Sequence, residues 1–298
     1  MSRFLEAMRS GRVLLMDGAM GTELQRAGLR QGECGEHWNL THPDRVRDIH
    51  ISYHRAGSRC FLTNTFQSNP TALGKHGLAN QLEVINQSAL AIARSVAGMD
   101  GFVLGDIGPI AHAENLDEAE LQSVFRVARS LATSDALLFE TCSYYSTFLM
   151  INATRHFLTT FARVPILVSF TFLRQAAGDL TTYDGRSPQF CARSAHQAGI
   201  DGLGVNCGRE IGMDEIIAII RAYRQETHLP LFARPNAGTP ARVEDRNSYP
   251  RTPEQMAARL PELLEAGIQM IGGCCGTTPD HIAAFRPIVE KWNSEHSP

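Results

Sequence analysis

Apolar stretches and helix-type periodicities alternate along the whole chain. Eight short apolar runs read as strands, and longer segments between them repeat apolar residues at a spacing of about 3.6. This alternation favours a parallel sheet, because a crossover helix must return the chain before each new parallel strand. Eight strands over roughly 270 residues predict a (β/α)₈ TIM barrel. The predicted strands are Val13–Met16, Cys60–Thr63, Phe102–Gly105, Ala136–Phe139, Ile166–Phe172, Gly202–Val205, Leu231–Ala233 and Met270–Ile271.

The helical segments carry a weak internal repeat. Three of them end in Ala-Gly just before a strand, and glycine can adopt the left-handed conformation that stops a helix. No linker rich in proline, glycine or serine divides the chain, so we predict one α/β domain over residues 1–298. The three stops are Ala56-Gly57, Ala198-Gly199 and Ala266-Gly267. The segments with helical periodicity include Pro43–Ala56, Gln81–Ala97, Glu118–Thr133, Met213–Gln225 and Pro253–Ala266.

Composition narrows the class of protein. Apolar residues make up 43% of the chain and charged residues 20%, which suits a large core and argues against disorder. The net charge of −3 does not favour nucleic-acid binding. The charged N-terminus does not resemble a signal peptide, and no apolar run is long enough to span a membrane. Seven cysteines, an odd number, favour metal or thiol chemistry in a reducing, cytoplasmic compartment over a disulfide framework.

Polar and cysteine residues follow the predicted strands. The carboxyl ends of barrel strands meet at one mouth, so these residues are expected to converge there. Two long polar loops, Gly178–Pro188 and Gly238–Pro253, also follow strands and are expected on the same face.

Three of the cysteines are candidate metal ligands. Cys207 ends the sixth strand, and Cys274 and Cys275 end the eighth. Three convergent thiolates suit a soft metal, with Zn²⁺ as the first candidate, and they leave an open position typical of a catalytic site. Two alternatives remain at this point: the cysteines are buried small apolar residues, or the adjacent pair forms a disulfide.

Two carboxylates end other strands. Asp17 follows the first strand and Glu140 the fourth. They suit either loop capping or the binding of a substrate ammonium group, and position alone does not separate the two. His50 and His54 stand four residues apart but lack the glutamate of an HExxH motif, so a metal role is not predicted for them.

Six segments together resemble the homocysteine S-methyltransferase family, in order over about residues 10 to 290. The last of these segments, Gly-Gly-Cys-Cys-Gly-Thr-Thr-Pro, is very specific. The six begin at Asp17-Gly18-Ala19-Met20, Thr63-Asn64-Thr65-Phe66, Gly105-Asp106-Ile107-Gly108, Gly204-Val205-Asn206-Cys207, Pro235-Asn236-Ala237-Gly238 and Gly272-Gly273-Cys274-Cys275.

The resemblance implies a (β/α)₈ barrel with a zinc site at the carboxyl ends of its strands. Cys207, Cys274 and Cys275 would be the metal ligands and the catalytic residues. Asp17 and Glu140 would hold the amino group of homocysteine. An amide oxygen of Asn236 could fill the fourth zinc position until substrate arrives, and Thr65 joins these residues as a candidate for substrate binding.

The expected function is methyl transfer to homocysteine, giving methionine. Betaine enzymes of the family carry tyrosines where this chain has Gln67 and Thr141, which argues against betaine, because aromatic faces suit a quaternary ammonium. A sulfonium, S-methylmethionine or S-adenosylmethionine, is therefore the favoured donor. The alternative is methyl transfer from a separate methyl-corrinoid protein, since the chain also resembles the homocysteine module of cobalamin-dependent methionine synthase. A hypothesis of another class is a non-catalytic zinc-thiolate protein that binds thiols.

Overall fold

The computed structural model describes residues 2–110, 117–144, 146–159, 163–243 and 246–296. Eight parallel strands form the central sheet in the order β1-β8-β7-β6-β5-β4-β3-β2. A parallel bridge between Met16 and Cys60 joins the two ends of this order, so the sheet curves into a nearly closed barrel. The strands are β1 Leu14–Leu15, β2 Cys60–Leu62, β3 Phe102–Ile107, β4 Ala136–Cys142, β5 Ile166–Phe170, β6 Gly202–Asn206, β7 Leu231–Arg234 and β8 Met270–Ile271.

Helices surround the sheet and connect its strands. The predicted (β/α)₈ barrel and all eight predicted strand positions are confirmed, with differences of a few residues at the strand ends. The α-helices are α1 Arg3–Met8, α2 Met20–Arg26, α3 Trp38–Thr41, α4 Pro43–Ala56, α5 Pro70–Gly74, α6 Leu82–Ala97, α7 Glu118–Ser130, α8 Ser146–Leu158, α9 Pro188–Gln197, α10 Met213–Glu226, α11 Pro253–Ala257, α12 Leu260–Glu265 and α13 Pro279–His296.

The predicted glycine stops are confirmed, but one predicted helix is wrong. Gly57, Gly199 and Gly267 have φ angles of 118°, 63° and 93°, as left-handed helix ends require. The segment expected as a single helix from Pro253 to Ala266 is two helices, α11 and α12. Pro261 causes the break, because its ring clashes with the carbonyl four residues earlier and it has no N–H to donate.

Apolar side chains fill the barrel from its amino-terminal end. Phe4 and Met8 of α1 are buried in the same cluster as Met16, Leu104 and Phe232 inside the barrel. The Phe4 ring meets Phe102, the first residue of β3, edge to face at 5.3 Å. Helix α1 therefore covers the amino ends of the strands, and the carboxyl ends are left for the site. A second apolar cluster lies between the strands and the surrounding helices.

The two long polar loops carry short antiparallel hairpins. One pairs Leu173–Arg174 with Leu180–Thr181, and the other pairs Ala241–Val243 with Arg246–Ser248. Positions 244 and 245 of the second predicted loop lie outside the described residues. Within the described part of the chain, no helix has the length and apolar character needed to cross a membrane.

Candidate metal and substrate site

Three cysteine sulfurs converge at the carboxyl ends of β6 and β8. The Sγ atoms of Cys207, Cys274 and Cys275 all lie within 4.8 Å of one another, and those of Cys207 and Cys275 are 4.0 Å apart. Among the described residues, this is the one group of three or more His, Cys, Asp and Glu side chains close enough to share a metal ion. All three are free thiols, so the alternative of an adjacent disulfide is not seen here.

Unusual backbone conformations aim these sulfurs at one point. Cys207 has a φ of 55°, in the left-handed region that non-glycine residues rarely adopt. Gly276, directly after the adjacent pair, has a φ of 80°, and a Cβ there would lie 2.0 Å from the ring of Tyr249. In a residue with a side chain, such as Cys207, this conformation persists only where the surrounding structure enforces it, and it occurs most often at functional sites.

Two asparagines touch the sulfurs. Asn206 Nδ2 donates to Cys274 Sγ at 3.7 Å, and Asn236 Nδ2 donates to Cys207 Sγ at 3.6 Å. Hydrogen bonds from the Cys274 and Cys275 thiols lower the pKa of Cys207 to about 3. The pKa values of Cys274 and Cys275 are raised, chiefly by the hydrogen bonds that their thiols make to Cys207. The thiols of Cys274 and Cys275 thus favour the thiolate form of Cys207.

The cluster fits a soft divalent cation. Tetrahedral sulfurs about 2.3 Å from a zinc ion are about 3.8 Å apart, close to the spacing seen here. Asn236 Oδ1 is buried and has no hydrogen-bond partner. A buried amide oxygen without a partner is costly, and a cation beside Cys207 would satisfy it. The donor set and the unsatisfied oxygen therefore both suit a metal.

Asp17 and Glu140 are brought together as predicted, but by a cation that sequence reasoning missed. Arg234, the last residue of β7, lies between them and is itself 3% exposed. Its Nη1 donates to Glu140 Oε1, and its Nη2 donates to Asp17 Oδ1 at 3.3 Å. Burial raises the pKa of each carboxyl group to about 7, against the opposing charge of Arg234. The sequence does contain a signal for Arg234, because it is a charged residue at the end of an otherwise apolar strand.

The strand that carries Glu140 is distorted at the site. The pairing of β4 with β5 shifts register between Phe139 and Cys142, and Thr141 has a φ of 61°. Asn206 holds this distortion in place, since its Nδ2 donates to Thr141 Oγ1 at 2.8 Å and its Oδ1 accepts from the Thr141 N–H at 3.1 Å. A bulge of this kind re-aims a side chain, here that of Glu140, toward the barrel mouth.

Thr65 lies at the same mouth and supports a further acid. Its hydroxyl donates to the carbonyl oxygen of Asp106 at 2.7 Å and also contacts the Thr63 hydroxyl. The N–H of Asp106 in turn donates to Thr63 Oγ1 at 3.0 Å. The two threonines thus hold the end of β3, and sequence reasoning did not single out the Asp106 side chain.

Two cavities meet at the cysteine cluster. The acid cavity, about 450 Å³, is lined by Thr65, Asp106, Glu140, Arg234 and Cys274, among others. The tyrosine cavity, about 720 Å³, is lined by Tyr144, Tyr183, Tyr249, Phe139 and Met150, among others. Thr141, Cys207 and Cys275 line both cavities. Ligands in the two cavities would therefore face each other across the sulfurs.

Comparisons with known proteins identify the family of the chain. The methionine synthases of Mycobacterium tuberculosis and Mycobacterium leprae are 33% and 32% identical to the chain, over 92% and 95% of its length. The chain spans about a quarter of the length of these curated relatives. The metallated crystal structure of the homocysteine methyltransferase MmuM from Escherichia coli is 26% identical, with a TM-score of 0.74 over 96% of this chain and 99% of that one. A family model described as homocysteine S-methyltransferase matches residues 14–289. The chain therefore belongs to the homocysteine S-methyltransferase family.

Proposed function

We propose that the protein transfers a methyl group from a sulfonium compound to the thiol of homocysteine, giving methionine, with zinc held by Cys207, Cys274 and Cys275. The observation that carries this proposal is the meeting of an acidic cavity and an aromatic cavity at the three sulfurs. Methyl transfer needs two ligands aligned on either side of one reacting centre, and this arrangement supplies places for both.

Three thiolates and the amide oxygen of Asn236 would hold the zinc ion. When bound, the ion lowers the pKa of a substrate thiol so that it is a nucleophilic thiolate at neutral pH. Asn206 and Asn236 orient the sulfurs through the hydrogen bonds described above. Such supporting contacts are what keep metal ligands in place.

The acid cavity suits homocysteine. Glu140 lines it, and Asp17 lies behind Arg234 and adds negative charge for the α-ammonium group. Thr65 lines this cavity and shapes its wall through the hydrogen bond that its hydroxyl donates to the carbonyl oxygen of Asp106. Both carboxylates would thus attract the amino group and orient the thiol toward the cysteine cluster.

The tyrosine cavity suits a cationic methyl donor. Tyr144 and Tyr183 stack with their ring centroids 6.3 Å apart, and Tyr249 lines the same cavity. Aromatic faces attract sulfonium and ammonium cations. In the transfer, the sulfur of homocysteine forms a bond to the methyl carbon as the donor's S–CH₃ bond breaks. The electron pair of that bond stays on the leaving sulfide, so the donor loses its positive charge.

A second candidate function uses a methyl group carried by a separate corrinoid protein. Its support is the similarity to two methionine synthases that are about four times as long as this chain. A non-catalytic thiol-binding protein is the alternative from another class. For each of these functions we propose a reducing, cytoplasmic setting, because the site needs free thiols.

The test supplies zinc-loaded, reduced protein with homocysteine and methyl-deuterated S-methylmethionine, and measures labelled methionine by mass spectrometry. Labelled product is expected from the wild type. Cys207→Ser is expected to lose bound zinc and turnover together, whereas Cys191→Ala, a buried cysteine of α9 outside the cluster, keeps both.

If the zinc-loaded protein forms no labelled product, S-methylmethionine is not the methyl donor. S-adenosylmethionine, betaine and a methyl-corrinoid protein are then supplied in that order. Zinc and homocysteine binding without methionine from any of them would favour the thiol-binding protein. Turnover by a metal-free Cys207→Ser variant would contradict the zinc site itself.

A further inference from the structure

Asp106 carries a buried carboxylate oxygen with nothing bound to it. The residue is 4% exposed, lies near the end of β3 and lines the acid cavity together with Glu140 and Cys274. Its Oδ1 is buried and has no hydrogen-bond partner. A buried carboxylate oxygen without a hydrogen-bond donor is unfavourable, so the arrangement points to a ligand that supplies one.

The other two acids of the cluster already have partners. Asp17 Oδ1 accepts from Arg234, and its Oδ2 accepts from the N–H of Leu62 at 2.8 Å. Glu140 Oε1 accepts from Arg234 as well. Asp17 does not belong to the lining of the acid cavity, whereas Glu140 and Asp106 do. The acids that a ligand meets directly are therefore Glu140 and Asp106.

We propose that Asp106 is a substrate-binding residue that accepts a hydrogen bond from the α-ammonium group of homocysteine, alongside Glu140. This inference rests on the proposed function, because it assigns one more residue to the same substrate. Asp17 then acts as a positioning residue, which holds Arg234 against Glu140.

The charges of the cluster support a cationic ligand. Three buried carboxylates surround one buried guanidinium, so the cluster lacks positive charge when all three are ionised. Burial raises the pKa of Asp106 well above its usual range, and the negative charge of Glu140 adds to the effect. An ammonium group placed between Asp106 and Glu140 would reduce the excess of negative charge and favour the ionised form of Asp106.

The backbone of Asp106 is positioned before any ligand arrives. Its N–H donates to Thr63 Oγ1, and its carbonyl oxygen accepts from Thr65 Oγ1. Both threonines are themselves buried. Holding the residue at these two points lowers the ordering cost of binding an ammonium group.

The experiment compares two ligands by calorimetry on zinc-loaded protein. Homocysteine carries the ammonium group, and 4-sulfanylbutanoate is the same thiol acid without it. Asp106→Asn is expected to raise the Kd of homocysteine at least about 10-fold, as loss of a charged hydrogen bond does. It should change the Kd of 4-sulfanylbutanoate less than about 3-fold, because the neutral amide keeps the shape of the carboxylate. Asp100→Asn, at an exposed position, is the matched control and should change neither value.

Each other result overturns the assignment. An equal rise of Kd for both ligands would show that Asp106 only maintains the cavity. An unchanged Kd for homocysteine in Asp106→Asn, with wild-type zinc content, would show that the ammonium binds elsewhere and would leave the proposed function standing. Failure of the wild type to bind homocysteine would reject the proposed function together with this inference. Asp106→Ser, measured in the same way, provides a second variant if the asparagine variant does not fold.

Discussion

At the scale of single residues, the site is built from backbone conformations that most side chains avoid. Thr141 and Cys207 both have φ angles near 60°, and each directly follows a residue that lines or supports the site. Gly276 also has a positive φ angle, but glycine has no Cβ and therefore adopts this conformation without a steric cost. The absence of a side chain also lets the Tyr249 ring lie directly over the backbone after Cys275.

Gly276→Ala is therefore expected to disturb the site. The new Cβ would lie 2.0 Å from the Tyr249 ring at a φ of 80°. We expect the free energy of unfolding to fall by about 2 kcal/mol or more, from the left-handed backbone and from overpacking. Calorimetric unfolding and zinc content are the measurements. Gly21→Ala, where nothing lies within 4 Å of the added atom, should lower neither quantity, because Gly21 lies in helix α2, where alanine is favoured over glycine. Equal behaviour of the two variants would refute the packing argument.

At the scale of secondary-structure elements, helix α4 shows how burial changes the pKa of a histidine side chain. His50 is fully buried on this helix, its ring lies 6.1 Å from that of Phe61, and neither ring nitrogen has a hydrogen-bond partner. Burial lowers the pKa of His50 to about 4 from its ordinary value of 6.5. The side chain thus packs α4 against β2 as a neutral ring, and it is not part of the cysteine cluster.

This burial predicts a loss of stability in acid. The unfolded chain binds a proton at His50 below pH 6.5, whereas the folded protein does so only near pH 4. Stability is therefore lost as pH falls through this window, by about 2 kcal/mol at pH 5. Between pH 8 and pH 5, the free energy of unfolding should therefore fall by about 2 kcal/mol less in His50→Phe than in the wild type. Urea titration at the two pH values measures this difference. His54→Phe, exposed on the same helix, should follow the wild type; an identical pH dependence for all three proteins would disprove the assignment.

At the scale of the whole molecule, the residues that close the apolar interior of the barrel and those of the candidate site lie at opposite ends of its strands. Helix α1 closes the amino ends of the strands with Phe4 and Met8, while the acids and cysteines gather at the carboxyl ends. Mutations at the two ends should consequently have different effects.

Phe4→Ala tests this separation. The ring is 1% exposed, and its removal should cost about 3–5 kcal/mol of unfolding free energy. Zinc content of the folded variant should stay at the wild-type level, because the cluster lies at the opposite end of the strands. Met99→Ala, at a residue that is 89% exposed, is the control and should change neither quantity. Loss of zinc by folded Phe4→Ala would show that the two ends are coupled.

Most of the fold and the convergence of the three cysteines could be predicted from the sequence, since both have local signals. Strands, glycine stops and the Gly-Gly-Cys-Cys-Gly segment are short patterns. The barrel then brings Cys207, after β6, to Cys274 and Cys275, after β8, although β7 lies between these two strands. The break before Pro261 also has a local signal, because a proline inside a helical pattern ends or kinks the helix.

Only the tertiary structure decided how the charges around the acid cavity pair with one another. Asp17 follows β1, whereas Asp106, Glu140 and Arg234 lie in β3, β4 and β7. Nothing in any one of these segments indicates that the guanidinium of Arg234 pairs with two of the acids. The chain's local patterns determine which strands form and which residues end them. Which of those residues neutralise one another, and which is left to meet a ligand, depends on distances across the barrel mouth that arise only when all eight strands are in place.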